Sequence, residues 1–525
     1  MSSIFSRPAQ LERLESDAGP WDIVVIGGGA TGTGVAVDAA ARGYRVALFE
    51  QHDFGKGTSS RSTKLIHGGL RYLKQGRIRL VRDGLIERGL LCRNAPHLVH
   101  PLPTIVPVYS WWEGAYYGLG LKVYERLSGR LSLGPSRRLS VEETLSAIPT
   151  LERHGLRGGV AYLDGAFDDS RLLVNLVQTA IEHGAVCLNY APVRELVKQS
   201  GRVSGVVAED AETGGTLRAT ARVVVNATGP FADQVLQLDD PSAPPVIAPS
   251  QGIHLVFDRD FLPGTSALIV PKTRDGRVVF AIPWHGHAIV GTTDTPRPDA
   301  PLEPHPLPGE VDFLLETIAP YLSRKPRHVD IRSIFAGIRP LVRGGDVRQT
   351  SKLGRDHQVR VSPSGLISVL GGKWTTYRRM AEDGVDRAAL VGRLVPKPCP
   401  TKTLPIHGYP GDTQPDRFVE YGSDATALEQ LVATVPGGDG RLAARLPYVA
   451  GQAIFAARHE MARTVEDVLA RRLRALFLDA EAALVAAPRV AELLAHELGR
   501  DAQWQSDQLQ QFRIVAEAYR PPFYS

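Results

Sequence analysis

Asp22-Ile-Val-Val-Ile-Gly27-Gly-Gly29-Ala-Thr-Gly32 is the stretch that decides the fold. Its unbroken apolar run reads as a strand buried on both faces. The run ends in Gly27-x-Gly29-x-x-Gly32, and the small residues from Gly32 to Arg42 continue as a helix. Gly43 stands where a helix end takes a left-handed residue. Arg45-Val-Ala-Leu-Phe-Glu50 is a second strand. The unit is βαβ, the head of a doubly wound α/β sheet. Such glycines permit a tight turn and let the backbone approach a diphosphate. The helix N-terminus adds unpaired N–H groups and a positive dipole, and Glu50 suits the hydroxyls of an adenosine ribose.

NAD and FAD share this fingerprint, and three features favour FAD. The βαβ unit lies near the N-terminus, a later strand ends in Ala227-Thr228-Gly229, and Gly371-Gly372 precedes Lys373 far downstream. Three separated segments thus gather around one long cofactor.

Outward from this unit, residues 60–95 read as basic and mostly helical, and 170–184 as a helix with Arg171 in its first turn. Val203–Val207 and Leu217–Val225 read as strands. From Gly252 to Gly291 short alternating strands follow one another, with Trp284-His-Gly-His287 as a turn, which predicts an antiparallel, substrate-facing sheet. Pro396 to Pro410 has linker character. Beyond it Thr464 is an N-cap with Asp467 at N3, and Val465, Val468, Leu469, Arg472 and Leu473 keep helical spacing. The expected organisation is a Rossmann-like FAD-binding domain with an interleaved antiparallel-sheet substrate domain over 21–395, the sheet drawn mainly from about 95–165 and 245–345. A C-terminal helical domain follows over 405–525.

The block Thr58-Ser59-Ser60-Arg61-Ser62-Thr63-Lys64-Leu-Ile-His67-Gly-Gly-Leu-Arg71-Tyr72 offers hydroxyls to a diphosphate. Lys64 and Arg71 share a face if it is helical, and His67-Gly-Gly lets backbone approach a flavin ring. Gly337-Ile-Arg339-Pro340 and Gly372-Lys373-Trp374-Thr375 add cations beside glycines; Arg grips an anion with two parallel hydrogen bonds, and Lys acts as a point charge. His254 sits mid-strand, while His285 and His287 read as exposed.

The chain has 525 residues, enough for about two to four domains. With 43% hydrophobic and 22% charged residues, disordered and fibrous classes are excluded. Three scattered cysteines without CxxC spacing speak against a disulfide framework or zinc site and suit a reducing, cytoplasmic setting. The net charge of +5 permits an anionic substrate or membrane surface without demanding nucleic acid. No metal-ligand spacing, GxSxG elbow or P-loop is present. No run reaches the roughly 18 apolar residues of a spanning helix, and the first twenty residues read as a polar lead-in rather than a secretory signal.

Taken in order, TSSRSTKLIHGGLRYL (58–73), VNATGPFAD (225–233), FAIPWHGHAIVGTTD (280–294), AGIRPLV (336–342), GGKWTTYR (371–378) and ARHEMARTVEDVLARR (457–472) resemble the FAD-dependent, aerobic glycerol-3-phosphate dehydrogenases. The resemblance implies a D-amino-acid-oxidase-like flavoprotein with a helical C-terminal domain. It would oxidise sn-glycerol 3-phosphate to dihydroxyacetone phosphate, passing hydride from C2 to flavin N5 and electrons onward to membrane quinone. It also implies peripheral attachment to the inner face of the plasma membrane, and often a homodimer. By motif, Arg71, Tyr72, Arg339 and Lys373 would surround the substrate, and His67 and His254, with Arg339, would be the catalytic candidates, the proton acceptor left open between them. The cofactor contacts would come from Gly27, Gly29, Gly32, Glu50, Thr58, Ser59, Ser60, Lys64, His67, Ala227, Thr228, Gly229, Gly337, Gly372, Lys373 and Thr375. Arg61 and Thr63 depart from the smaller residues that relatives can carry. No EF-hand loop is visible, which speaks against a calcium-regulated form. The related oxygen-using glycerol-3-phosphate oxidases tend to carry an insertion, and an amino-acid or amine oxidase of the same fold is the other alternative. Three cations suit a dianionic phosphate better than a carboxylate. Trp111-Trp112 and Tyr116-Tyr117 near Lys122, Arg126 and Arg130 suit a membrane interface.

Overall fold

The computed structural model describes residues 3–16, 19–69, 73, 76–271, 273, 277–344, 356–411 and 415–521. Helix α1 (Arg7–Ser16) precedes strand β1 (Trp21–Ile26), helix α2 (Ala30–Ala41) and strand β2 (Val46–Phe49). β1 runs parallel to β2 on one side and to β10 (Thr216–Asn226) on the other, with Ile26 level with Phe49 and Asn226. β7 (Val186–Leu188) and β18 (Ile367–Gly371) extend the sheet in parallel, and β17 (His357–Val361) closes one edge antiparallel. α2, α5 (Asp169–Glu182) and α7 (Tyr377–Val391) pack one face around Val35, Leu176 and Val385. The other face is covered by Leu14 of α1 and the hairpin of β8 (Val193–Gln199) and β9 (Arg202–Glu209). Burial on both sides is why β1 carries no alternation beyond Asp22.

The N-terminal lead-in has a structural role that its sequence did not announce. The buried Arg7 pairs with Asp210 at 2.6 Å, and Gln10 Oε1 accepts the Cys187 N–H of edge strand β7 at 3.1 Å.

A second sheet draws on β3 (Leu65–Ile66), β4 (Val99–Pro107), β5 (Arg137–Leu139), β6 (Gly159–Phe167), β11 (Ile247–Asp258), β12 (Ala267–Val270), β13 (Val279–Trp284), β14 (His287–Gly291), β15 (Thr295–Pro296) and β16 (Ile331–Val342). Its spine is the antiparallel pair β11 and β16, in register from Ile247 opposite Val342 to Val256 opposite Ser333. Residues 285–286 form the turn expected between β13 and β14. Helix α6 (Pro308–Ile318) packs one face through Leu314 and Ile318. Helices α3 (Ile78–Asn94) and α4 (Glu113–Ser128) meet another part of the sheet around Leu85, Leu121 and Tyr162.

Residues 60–69 differ from the helical expectation. They are the end of a short 3-10 turn, a loop and β3, whereas Leu73 is helical and a long helix runs from Ile78. The hydroxyl side chains there bond to nearby backbone and carboxylate groups, the competition that keeps such residues out of helices.

The C-terminal region is helical, with α8 (Ala425–Thr434), α9 (Ala450–His459), α10 (Ala480–Leu498) and α11 (Ala502–Glu517). Thr464 and Asp467 cap reciprocally: the Asp467 N–H donates to Thr464 Oγ1 at 3.1 Å, and the Thr464 N–H to Asp467 Oδ2 at 3.0 Å. The helix they open is a six-residue π-helix, Asp467–Arg472. Its core is continuous with the second sheet through Val256, Trp284, Ile289 and Phe335. The proline-rich segment before it is fastened down, with the Asn94 side chain donating to Thr401 O at 3.1 Å and the Ile406 N–H to Asn94 O at 2.9 Å.

Candidate active site

A cleft of about 400 Å³ opens at the C-terminal ends of β1, β2 and β10, where ligands bind in open α/β sheets. Gly27, Gly29, Ala30, Glu50, Lys56, Thr58, Ser59, Ala227, Thr228, Gly229, Gly372 and Lys373 are among its walls. Gly32 lies behind the wall; a Cβ there would collide with the Gly27 carbonyl, so only glycine lets α2 abut the turn. The Ala30 N–H at the head of α2 donates to Ser59 Oγ at 2.9 Å. Glu50 accepts the Gly28 N–H at 2.6 Å and the His52 N–H at 2.9 Å, and burial pushes its carboxyl upward. Thr58 Oγ1 donates to Ile338 O at 2.6 Å, and Trp374 Nε1 to Ser59 O at 2.7 Å. The loop 55–60 is thereby clamped between β16 and the segment after β18. A glycine turn with no room for a side chain, a carboxylate at the end of β2 and two further glycine-bearing walls fit an extended dinucleotide.

Arg339 immediately precedes cleft residue Pro340. Its guanidinium donates to Gln251 O at 3.1 Å, Thr293 O at 2.9 Å and Thr292 Oγ1 at 3.1 Å, and Asp294 Oδ1 lies 3.6 Å away. It lies flat against β11, where a Cβ at Gly252 would overlap it. One strand pair further along, His254 is buried, stacks on Phe335 with ring centroids 4.7 Å apart, and shares a 2.9 Å hydrogen bond between Nε2 and Thr63 Oγ1. Burial pulls the imidazole well below its ordinary pKa, and the Lys64 and Arg339 cations pull the same way. His254 is therefore neutral near pH 7, and its buried Nδ1 has no hydrogen-bond partner among the described residues. The His67 backbone N–H donates to Thr375 Oγ1 at 3.3 Å, bringing the histidine loop beside the segment that carries Lys373.

Several candidates sit elsewhere than expected. Lys64 is fully buried, with Nζ bonded to Asp169 Oδ2 at 2.7 Å and Ser60 O at 2.8 Å and facing the rings of Trp284, Phe335 and Phe477. Burial and the nearby Arg474 cation pull it down to about 7. It supports the loop from below rather than lining the cleft. Ser60 is buried too and donates to Gly55 O at 2.9 Å. Gly337 packs against Arg61, and Thr375 is buried against His67, so both lie behind the wall. Arg71 and Tyr72 lie outside the described residues. His285 bonds Asp168 Oδ2 at 3.0 Å beneath its exposed turn.

Comparison with known proteins agrees with this geometry. Residues 22–378 match the FAD dependent oxidoreductase family, and 368–505 the C-terminal domain of alpha-glycerophosphate oxidase. The chain is 41% identical to the mitochondrial glycerol-3-phosphate dehydrogenase of Arabidopsis thaliana, over 99% of this chain and 90% of the relative. This chain belongs to the FAD-dependent glycerol-3-phosphate dehydrogenases. The human mitochondrial glycerol-3-phosphate dehydrogenase is 39% identical over 97% of this chain and 74% of its own length. The crystal structure of the Bacillus halodurans glycerol-3-phosphate dehydrogenase complexed with FAD superposes with a TM-score of 0.81 at 29% identity, covering 100% of this chain and 99% of that one. A Geobacillus kaustophilus glycine oxidase shares the fold alone, at 21% identity and a TM-score of 0.52 over 72% of this chain and 96% of that one. As in other glycerol-3-phosphate dehydrogenases, FAD is the cofactor, and the cleft above is where this chain has room for it.

The motif reading missed part of the dehydrogenase's cleft and all of its underside. Pro192, Val193, Gln234 and Leu238 line the cleft but carry no motif. Beneath it, Asp53 is fully buried and receives Arg471 Nε at 2.5 Å, Arg472 Nη1 at 2.7 Å and Arg472 Nη2 at 2.9 Å. The available signal was three arginines, 471, 472 and 474, in an otherwise apolar stretch, a pattern that buried charge requires to be paired.

Proposed function

We propose that the protein oxidises sn-glycerol 3-phosphate at C2 to dihydroxyacetone phosphate and passes the electrons to membrane quinone. The observation that carries the reading is Lys373 in the cleft wall, together with the family membership; Arg339 joins it by its motif, one residue along the chain from cleft residue Pro340. Gly27, Gly29, Glu50, Thr58, Ser59, Ala227–Gly229 and Gly372 would hold FAD, which supplies the hydride acceptor when bound. Arg339 and Lys373 hold the phosphate dianion and orient C2; positioning of this kind is worth several kcal/mol of barrier, about 7–11 in the best cases. Arg339 also steadies negative charge as the C2 hydroxyl loses its proton. A neutral imidazole is the natural acceptor for that proton, and His67 and His254 are its two candidates.

Among the described residues no helix is long and apolar enough to cross a membrane. Attachment on the inner face is assigned to α4 and the turn before it. Trp111 is 83% exposed and Leu119 69%, with Trp112, Tyr116 and Val123 on the same side and Lys122 and Arg126 also exposed. Aromatics beside cations suit a headgroup layer.

The test is the visible spectrum of the purified protein before and after anaerobic sn-glycerol 3-phosphate. Loss of the oxidised-flavin band is expected, with recovery on adding a quinone analogue faster than on adding air. A flavin that glycerol 3-phosphate leaves oxidised and an amino acid bleaches would overturn the substrate.

A further inference from the structure

Glu310 lies at the third position of α6 and is buried, away from the cleft walls. Its carboxylate accepts four hydrogen bonds: from Gln251 Nε2 at 2.7 Å, Thr293 Oγ1 at 2.8 Å, Thr295 Oγ1 at 2.6 Å and the Leu307 N–H at 3.1 Å. Only the last is the ordinary capping bond of a helix N-terminus. The other three fasten β11 to the segment 293–295. Those two segments are the ones whose carbonyls, Gln251 O and Thr293 O, grip the Arg339 guanidinium. The Gln251 amide is held in one orientation, because Nε2 also donates to His305 O at 2.9 Å while Oε1 is buried without a partner among the described residues. Thr293 Oγ1 also accepts the Ile253 N–H at 3.0 Å, so a shift at Glu310 reaches the strand that bears His254.

We propose that Glu310 is a positioning residue for Arg339. Its carboxylate sets the spacing of β11 and residues 293–295, and hence the place where the guanidinium meets an anionic substrate. The inference rests on the reading of Arg339 as a substrate-facing cation. Gln251 O, Thr292 Oγ1 and Thr293 O hold the guanidinium, with Asp294 Oδ1 3.6 Å away, and fixing those oxygens from behind fixes the cation. Misplacement of about 1 Å from a site remote from the chemistry can cost up to roughly 100-fold in rate.

The experiment is a double-mutant cycle on the holoenzyme with Glu310→Gln and Arg339→Lys, reading kcat and KM for sn-glycerol 3-phosphate, FAD stoichiometry and Tm. Glu310→Gln is expected to keep FAD and to lower kcat/KM roughly 10- to 100-fold, mostly through KM. In the Arg339→Lys background the same change is expected to cost less than about threefold, because the group it positions is already displaced. An equal factor in both backgrounds, or a loss that follows FAD content, overturns the proposal and leaves Arg339 its role. An Arg339→Lys enzyme as active as wild type overturns the reading of Arg339, and the proposal with it. Should Glu310→Gln fail to fold, Thr295→Val removes a single donor. It is expected to raise KM about threefold in the wild-type background alone, and an unchanged KM overturns the proposal.

Discussion

The cofactor cleft and the seam beneath it are made of different materials. The cleft is walled by glycines, hydroxyls and backbone amides from short motifs. The seam is made of buried charge. Besides Asp53 with Arg471 and Arg472, Glu466 bridges Lys56 at 2.7 Å and Arg471 at 2.6 Å. Arg474 Nη2 donates to Ser60 O at 2.8 Å and Asp169 Oδ1 at 3.1 Å. Burial pushes the Asp53 carboxyl up, but Arg472 and Arg471 outweigh it and hold it at about 2. A cofactor needs close, neutral donors, whereas the loop that presents them needs rigidity. Here rigidity comes from charges contributed by the C-terminal region, more than 400 residues away along the chain. The loop thus has one face toward the nucleotide and another toward ion pairs, with Lys56 belonging to both.

Four experiments separate the two regions, from the largest expected effect to the smallest. Gly32→Ala drives a methyl into the Gly27 carbonyl, and the expected outcome is a protein that purifies without flavin, read by absorbance. Retained FAD would show that the turn can yield. Asp53→Asn strips two buried guanidiniums of their counter-charge. A loss of about 3–5 kcal/mol is expected in denaturant unfolding, with weakened FAD retention; a loss below about 1 kcal/mol would mean that the seam is dispensable.

The third concerns His407, which ties the end of α5 to the C-terminal region by bonds to Glu182 at 2.6 Å and Asp424 at 2.9 Å. Burial lowers its pKa, but the hydrogen bonds to Asp424 and Glu182 outweigh burial and raise it from 6.5 to about 9. The native state therefore binds this proton more tightly than the unfolded chain does. The stabilisation, up to roughly 3 kcal/mol, is fully present below pH 6.5 and disappears as pH rises through 9. The Tm gap between wild type and His407→Gln should close over that window, and a gap constant with pH would rule the latch out. Last, the exposed pair Arg137–Glu143, at 2.7 Å, is screened by solvent, so Arg137→Ala should leave Tm nearly unchanged. A large loss there would erase the distinction between buried and exposed pairs.

How much was legible follows the same division. The β1 run, the Gly27 to Gly32 turn and the C-terminal position of Gly43 were readable because each effect acts within a few bonds of the residue that causes it. The strands of the second sheet were readable from alternation, as was their turn at His285. Of the stretch read as mostly helical, Ile78–Asn94 is helix, while 60–69 is not, because its hydroxyls compete for the backbone. Lys64 was assigned to the cofactor because its neighbours are. Its left-handed backbone and its partner Asp169, 105 residues away, send it under the loop.

By itself the sequence determined the doubly wound fold, the cofactor turn and the family, since turn geometry, strand burial and diphosphate recognition are local chemistry written in contiguous residues. Tertiary structure alone decided which charges face the cleft and which are consumed beneath it. A cation's role depends on the carboxylate or carbonyl that the fold brings to within 3 Å, and that partner can lie anywhere in the chain. Glu310, four hydrogen bonds deep and motifless, is the plainest case.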